Sequence, residues 1–82
     1  MSKADKMFEE LGFKLNKEPS QNHLLFYVKE NLLGEDEPYE YIVFHKDKTI
    51  APVCNDRKYI VALDMKLLQA INEKVKELGW YE

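Results

Sequence analysis

The side chains that could carry chemistry in this chain are few and widely spaced. His23, His45 and Cys54 are the only histidine and cysteine residues among the 82 residues. Zinc sites in small domains use closely spaced pairs such as Cys-x-x-Cys or His-x-x-x-His, and neither spacing occurs here. We therefore interpret the two histidines as residues at strand ends and the cysteine as a small apolar side chain. No metal and no cofactor is predicted.

Nucleophilic catalysis has equally little support in the sequence. A reactive Cys54 needs a general base and an orienting group beside it. His45 and Asp56 could supply them only through an arbitrary assembly, since no nucleophile motif surrounds the cysteine. The three glycines are too scattered to form a phosphate-binding loop. The sequence predicts no catalytic residues, and a small hydrolase or metal enzyme built on His45 and Cys54 is the least favoured interpretation.

Length and composition are those of a small globular protein. Apolar residues make up 45% of the chain and charged residues 33%, which predicts one folded domain over residues 1–82. A single cysteine excludes an internal disulfide framework. The longest apolar runs, LLFYV and YIVAL, are far shorter than the roughly 18 residues of a membrane helix. The N-terminus lacks the apolar segment of a signal peptide, so we expect a cytoplasmic protein that does not enter the membrane.

Two amphipathic helices with similar ends are predicted, one near each end of the chain. Apolar side chains recur at helical spacing over residues 2–11 and 65–78, and Asp64 precedes the second helix as its N-cap. The segments EELGF and KELGW each finish a helix with a glycine and an aromatic residue. This is the pattern of a Schellman ending, in which glycine takes a left-handed conformation and the next side chain packs back on the helix. We interpret the similarity as shared helix-ending chemistry, not as an internal repeat.

An antiparallel meander of three or four strands is predicted between the helices. Strands are expected over residues 13–17, 23–30, 39–46 and 49–54, and a short further strand over 58–62 is left open. The segment KDKT predicts a hairpin turn, and Pro52 predicts an edge strand because proline cannot donate to a sheet. The fold class is therefore α+β, with both helices packed on one face of the sheet. The side chains expected in the core are Phe8, Leu11, Phe26, Phe44, Leu68, Ile71, Val75 and Trp80.

The two longest strands are apolar on both faces, although two short helices can cover only one face. In the strand over residues 39–46, Ile42 and Phe44 are favoured over Tyr41 and Val43 as the side chains that face the helices. An uncovered apolar face usually marks a partner site, and tyrosine is a favoured interface residue. We therefore predict a non-enzymatic protein that acts by binding a protein partner or by self-association as a homodimer, through this face or through the edge near Pro52. The predicted interaction face consists of Leu25, Tyr27, Tyr39, Tyr41 and Val43.

Single-stranded nucleic acid is the alternative partner. Tyrosine rings on a sheet can stack on bases, and basic side chains can accompany the phosphates. The basic residues in question are Lys46, Lys48, Arg57 and Lys58. This cluster is small, and the net charge of −3 opposes binding to phosphate. Binding of nucleic acid is therefore less favoured than binding of protein.

The two ends of the chain resemble a known group of small proteins. ADKMFEELGF (residues 4–13) and LQAINEKVKELGW (residues 68–80) resemble segments of proteins encoded by phages and prophages of low-GC Gram-positive bacteria. Those proteins have a similar layout, with a short helix, a strand meander and a helix ending in LGW. Residues 14–63 match them only as a pattern of strands. The resemblance implies an accessory protein in the cytoplasm of a bacterial host, and it transfers no catalytic or binding residues because those proteins are of unknown function.

Overall fold

The computed structural model describes residues 2–29, 39–54 and 60–81. The elements are α1 (Lys3–Glu10), β1 (Lys14–Asn16), β2 (His23–Lys29), β3 (Glu40–His45), β4 (Ile50–Cys54) and α2 (Met65–Glu77). The strands form one antiparallel sheet in the order β1-β2-β3-β4. Both helices pack on the same face of this sheet, which confirms the predicted α+β architecture.

Parts of the predicted meander lie outside the described residues. Residue 30, at the end of the second predicted strand, lies outside the described residues, and so do the basic residues Arg57 and Lys58. Of the optional strand over 58–62, the structure describes residues 60–62, and they form no strand.

The helix endings agree with the sequence pattern. Gly12 has φ +91° and Gly79 has φ +73°, both in the left-handed region. The N–H of Phe13 donates to the carbonyl of Phe8 at 2.9 Å, and the N–H of Trp80 donates to the carbonyl five residues earlier at 3.2 Å. The Phe8 and Phe13 rings meet edge to face, with centroids 5.8 Å apart. In each helix the glycine and the aromatic residue after it therefore determine where the helix ends.

The sheet has a covered inner face and an outer face. Directly opposed residues of neighbouring strands share a face, and Tyr27 pairs with Ile42 while Phe26 pairs with Val43. On the inner face, the Phe8 ring of α1 stacks on the Tyr27 ring with centroids 3.7 Å apart. The buried inner-face side chains are Leu25, Tyr27, Ile42 and Phe44. The outer face carries Phe26, Val28, Tyr41, Val43, Ala51 and Val53.

The predicted orientation of β2 is wrong. Leu25 and Tyr27 were expected on the uncovered face and Phe26 in the core, whereas Tyr27 is fully buried and Phe26 lies on the outer face. The β2–β3 register, which includes an irregularity between His23 and Leu25, places Tyr27 beside Ile42 on the inner face. Burial of its polar hydroxyl is tolerated because a carboxylate of α1 accepts its hydrogen bond.

The predicted burial of Leu68 is also wrong, since 41% of this residue is exposed. The buried positions of α2 are Leu67, Ala70 and Lys74, which lie on one side of the helix at spacings of three and four residues. The helix is rotated so that Lys74 faces α1, where it meets an acidic partner. Asp64 caps the start of α2 as predicted, by accepting the N–H of Leu67 at 2.8 Å.

The hairpin between β3 and β4 confirms the predicted turn. The N–H of Lys48 donates to the carbonyl of His45 at 3.1 Å, and the N–H of His45 donates to the carbonyl of Thr49 at 2.9 Å. Lys48 has φ +67°, the left-handed residue that follows a type I turn in a three-residue hairpin loop. Asp47 closes the loop by accepting the N–H of Thr49 at 3.1 Å and its hydroxyl at 2.6 Å. The turn therefore sets the register of the two strands.

Candidate interaction surface

Aromatic rings in successive contact run across the outer face. The Phe26 ring lies 5.5 Å from the His23 ring and 5.8 Å from the Tyr41 ring, in edge-to-face geometry. The Tyr41 ring in turn lies 6.5 Å from the ring of Tyr39, the residue before β3. Such rings offer a large contact area with few rotatable bonds. This part of the surface is therefore well suited to binding.

Aliphatic side chains complete the outer face on both sides of the rings. Val28 and Val53 flank Tyr41 on the neighbouring strands, and Ala51 lies beside Val43. Val53 is 44% exposed and Tyr39 is 36% exposed. In the described parts of the chain, both helices pack on the opposite face. The outer face is thus a continuous apolar surface with polar residues, Lys14 and Asn16, along its β1 side.

The edge formed by β4 is poorly suited to accept another strand. His45 and Thr49 form a hydrogen-bonded pair, and such pairs alternate along an antiparallel ladder with pairs whose backbone groups point outwards. By this alternation Pro52, which lies opposite Ile42, directs its backbone nitrogen towards the free edge. Proline has no N–H, so the centre of this edge lacks a donor. The predicted role of this segment as an edge strand is confirmed.

A buried polar cluster joins the two helices to the sheet. The Tyr27 hydroxyl donates to Oδ1 of Asp5 at 2.5 Å, and Nζ of Lys74 lies 3.4 Å from the same oxygen. Lys74 also lies 3.6 Å from Oε1 of Glu77, whose Oε2 accepts the N–H of Ala4 at 2.9 Å. Each charge therefore has an opposite charge or a hydrogen-bond partner. In the described residues, no buried side-chain nitrogen or oxygen lacks a partner.

The cluster shifts the pKa values of two of its members in opposite directions. Burial alone would raise the pKa of Asp5, but the hydrogen bond from Tyr27, the charge of Lys74 and the hydroxyl of Ser2 together hold it below the ordinary value of 3.8. Burial raises the pKa of Tyr27 well above its ordinary value of 10.0, and the Asp5 and Glu77 carboxylates raise it further. Asp5 is therefore an anion and Tyr27 a neutral donor over the whole physiological range.

The geometry of this cluster indicates a structural role. Tyr27 has no solvent-accessible surface, and only 8% of the Lys74 side chain is exposed. No substrate can reach the Tyr27 oxygen without opening the helices. The sequence analysis does not predict this cluster. One feature could have indicated it: Lys74 lies seven residues after Leu67, which places a charged residue on the apolar side of α2.

The two histidines lie opposite each other at one end of the sheet. Nε2 of His23 lies 3.0 Å from the carbonyl of Glu18, which can only accept, and Nδ1 lies 2.8 Å from the Ser20 hydroxyl oxygen, with which it forms a second hydrogen bond. The Ser20 oxygen also accepts the N–H of Asn22 at 3.2 Å and that of His23 at 3.3 Å. This is the geometry of a turn closed by a serine side chain. Nδ1 of His45 lies 3.3 Å from the carbonyl of Asn22, so both rings hold the turn before β2 in place.

The structure separates Cys54 from the two histidines. Cys54 lies opposite Glu40, at the other end of β4 from the residues that face His45. Among the residues that the structure describes, no group of three or more histidine, cysteine or acidic side chains is placed to hold a metal ion. None of the helices in the described ranges has the length and apolar character needed to cross a membrane.

The structure brings together three of the five residues of the predicted interaction face. Tyr39, Tyr41 and Val43 lie on the outer face, whereas Leu25 and Tyr27 lie in the core. Their places are taken by Phe26 and Val28 of the same strand and by residues of β4 that the prediction did not include. For the alternative nucleic-acid surface, Lys46 and Lys48 lie in the hairpin turn that follows His45. The four extended steps from Tyr41 to His45 span about 13 Å, so both lysines lie at the His23 end of the row of rings.

Comparison of the chain with family models, with curated proteins and with solved structures finds no match. The resemblance of its two ends to phage and prophage proteins therefore stays a prediction.

Proposed function

We propose that this protein is a non-enzymatic accessory protein of a phage or prophage that acts in the bacterial cytoplasm by binding another protein through its outer face. The observation that supports this proposal is the combination of an apolar outer face with helices that pack only on the other side. The polar groups best placed for chemistry, the Tyr27 and Asp5 side chains, are engaged with each other in the interior.

The size of the outer face supports a specific but small contact. The apolar residues of the outer face lie on the three strands β2, β3 and β4, which at a spacing of about 4.8 Å and a length of about 17 Å each give an area of about 250 Å². This is close to the lower end of the range for the largest apolar patch on a typical monomer, which is often functional. Burying it would remove apolar area worth roughly 25 cal/mol per Å² from water. The face therefore favours binding to a flat apolar surface of a partner protein.

Binding of single-stranded nucleic acid is the alternative, and the contacting rings of His23, Phe26, Tyr41 and Tyr39 are the observation that favours it. Among the described residues, the surroundings of the rings favour protein, because valines and an alanine flank them, while the nearby cations Lys14 and Lys46 lie at the β1 side and at the His23 end. A single-strand binder places cations along the phosphate path. A salt-sensitive gel shift of single-stranded oligonucleotides by the wild-type chain would favour the alternative.

Placing a charge on the outer face is expected to abolish partner binding without unfolding the protein. Val53→Asp puts a carboxylate at an exposed position of β4 beside Tyr41. Burying this unpaired charge in an interface costs several kcal/mol. We expect the amount of partner captured by the tagged chain from phage-carrying host cells to fall at least tenfold, while the thermal unfolding temperature changes little.

Leu68→Asp is the matched control, because Leu68 is a similarly exposed apolar residue, 41% against 44%, on α2 instead of the outer face. This variant should retain the captured partner. Equal capture by wild type and Val53→Asp, or equal loss in both variants, would contradict the assignment of the binding surface to the outer face.

A further inference from the structure

An apolar groove lies between α2 and β4, on the side of the sheet that the helices cover. Its volume is about 390 Å³, and it is lined by Met65, Leu68, Asn72 and Val75 of α2, by Ile50 of β4 and by Tyr81 beyond the end of α2. Met65 is 69% exposed, Tyr81 66% and Leu68 41%, all more than Tyr39 of the outer face. The protein therefore has a second uncovered apolar surface, separate from the outer face.

The α2 residues of this groove have the spacing of a helix–helix contact. This set, the α2 seam, consists of Met65, Leu68, Asn72 and Val75. They follow one another at intervals of three, four and three residues, so they share one side of the helix. A different side of α2, which includes Lys74, faces α1 and the core. The α2 seam is thus available to a further helix, the partner that this spacing suits.

Asn72 is the polar residue of the seam, and its side chain is held in place. The Tyr81 hydroxyl donates to Oδ1 of Asn72. Among the described residues, the amide N–H groups of Asn72 have no acceptor, so they can donate to a partner. A single asparagine within an apolar helix seam favours one defined pairing over loose association, because its amide must find a partner there.

The two ends of the seam differ in shape. The exposed fraction falls from 69% at Met65 to 41% at Leu68, and Val75 is half-buried. Side chains therefore protrude at the start of α2 and are recessed towards its end. An antiparallel helix of the same sequence would place its protruding end against this recessed end, and antiparallel helix dipoles attract each other. A second copy of α2 is thus complementary to the groove.

We propose that a second copy of this chain occupies the groove, with the two α2 helices antiparallel about a two-fold axis near the middle of the helix. Met65 of each copy then packs against Val75 of the other, and Leu68 packs against Asn72. The Asn72 amide donates to the side-chain oxygen of the exposed Gln69 in the other copy. Because the arrangement is two-fold symmetric, each of these contacts occurs twice. The two outer faces point away from each other and stay free, so the proposal does not depend on them.

The area of the seam predicts a weak, reversible dimer. Met65, Leu68 and Tyr81 together expose roughly 350 Å² per copy when a fully exposed large side chain is taken as roughly 200 Å². A standard interface takes about 800 Å² from each partner, so this contact is about half as large. The seam carries no charged side chain. Added salt should therefore not weaken the dimer.

Substitutions in the seam test this dimer. Sedimentation equilibrium of the wild-type chain up to about 1 mM should give a concentration-dependent monomer–dimer equilibrium. Leu68→Asp places a carboxylate in the contact and should weaken dimerisation at least tenfold. Met65→Asp should do the same without loss of helix stability, because a carboxylate is favourable in the first turn of a helix. Val53→Asp makes the same kind of change at a similarly exposed residue of the outer face and should leave the dimer unchanged.

Dimerisation and partner capture should separate in these variants. One outer face is sufficient to bind the partner, so Leu68→Asp should lose the dimer and keep the partner, and Val53→Asp should do the reverse. A photo-crosslinker in place of Tyr81 should give an adduct of twice the chain mass, from the second copy. A chain that stays monomeric up to about 1 mM would overturn the proposal, as would a dimer that survives both Leu68→Asp and Met65→Asp. A dimer that only Val53→Asp abolishes would place the second copy on the outer face and would overturn it too.

Discussion

Replacing Phe8 by alanine is expected to destabilise the protein by about 3–5 kcal/mol, the range for deleting a fully buried phenylalanine. Phe8 has no exposed surface, and its ring stacks on Tyr27 and meets the rings of Phe13 and Phe44 at 5.8 and 6.4 Å. A chain of this length has a total stability of about 4–12 kcal/mol. The loss is therefore a large part of the whole, and Phe8→Leu, expected to cost about 1–2 kcal/mol, gives a measurable intermediate.

Phe26→Ala is the matched comparison, because the sequence pattern places both phenylalanines in the core and the structure places this one on the outer face. It should cost about 1 kcal/mol or less, as substitutions outside the core usually do. Urea unfolding at a constant slope gives both free energies. Equal losses at the two positions, or a larger loss at Phe26, would mean that the helices cover the other face of the sheet.

Replacing Asp5 by alanine is expected to cost about 2–4 kcal/mol, because it leaves the buried Tyr27 hydroxyl and the Lys74 ammonium without their shared partner. Asp5→Asn keeps an acceptor for the hydroxyl and removes only the charge, so it should cost less, about 1–2 kcal/mol. Glu10→Gln removes a charge from an exposed position of the same helix and should be close to neutral.

The effect of Asp5 should depend on pH in a defined direction. Its pKa is lowered in the folded protein, so the unfolded chain takes up a proton first as the solution is acidified. The stability that it contributes is fully present above its ordinary pKa of 3.8 and is lost as the pH falls through the folded value. The difference between wild type and Asp5→Asn should therefore shrink below about pH 4. A difference that stays constant down to the acid unfolding of both proteins would show that the charge of Asp5 does not stabilise the fold.

The contrast between the helix ends and strand β2 explains what could be predicted from the sequence. Gly12 and Gly79, each followed by an aromatic residue, specify a helix ending through contacts within six residues, so local chemistry was sufficient. In β2 the run from Leu24 to Val28 is apolar at every position, and period-two alternation then does not distinguish the two faces. The face was decided by contacts distant in sequence, such as the hydrogen bond from Tyr27 to Asp5, 22 residues away.

The candidate surface followed the same logic. The strands carry apolar residues on both faces, and two helices can cover only one face, so the sequence predicts an uncovered apolar face. This prediction does not depend on which residues of a strand face the helices. The preference for Ile42 and Phe44 as the inward pair predicts that Tyr41 and Val43 lie on the uncovered face. The sequence does not indicate the contribution of β4, because Pro52 identifies this strand only as an edge.

Photo-crosslinking from the outer face tests the central claim, that this surface is where the protein binds its partner. p-Benzoylphenylalanine introduced in place of Phe26 would report contacts of the outer face, and the same residue in place of Tyr81, 66% exposed beyond the end of α2, would report chance collisions. After irradiation of host cells carrying the phage of the proposed function, we expect a discrete protein adduct from position 26 and none of the same mass from position 81. No adduct from position 26, or the same adduct from both positions, would contradict the account.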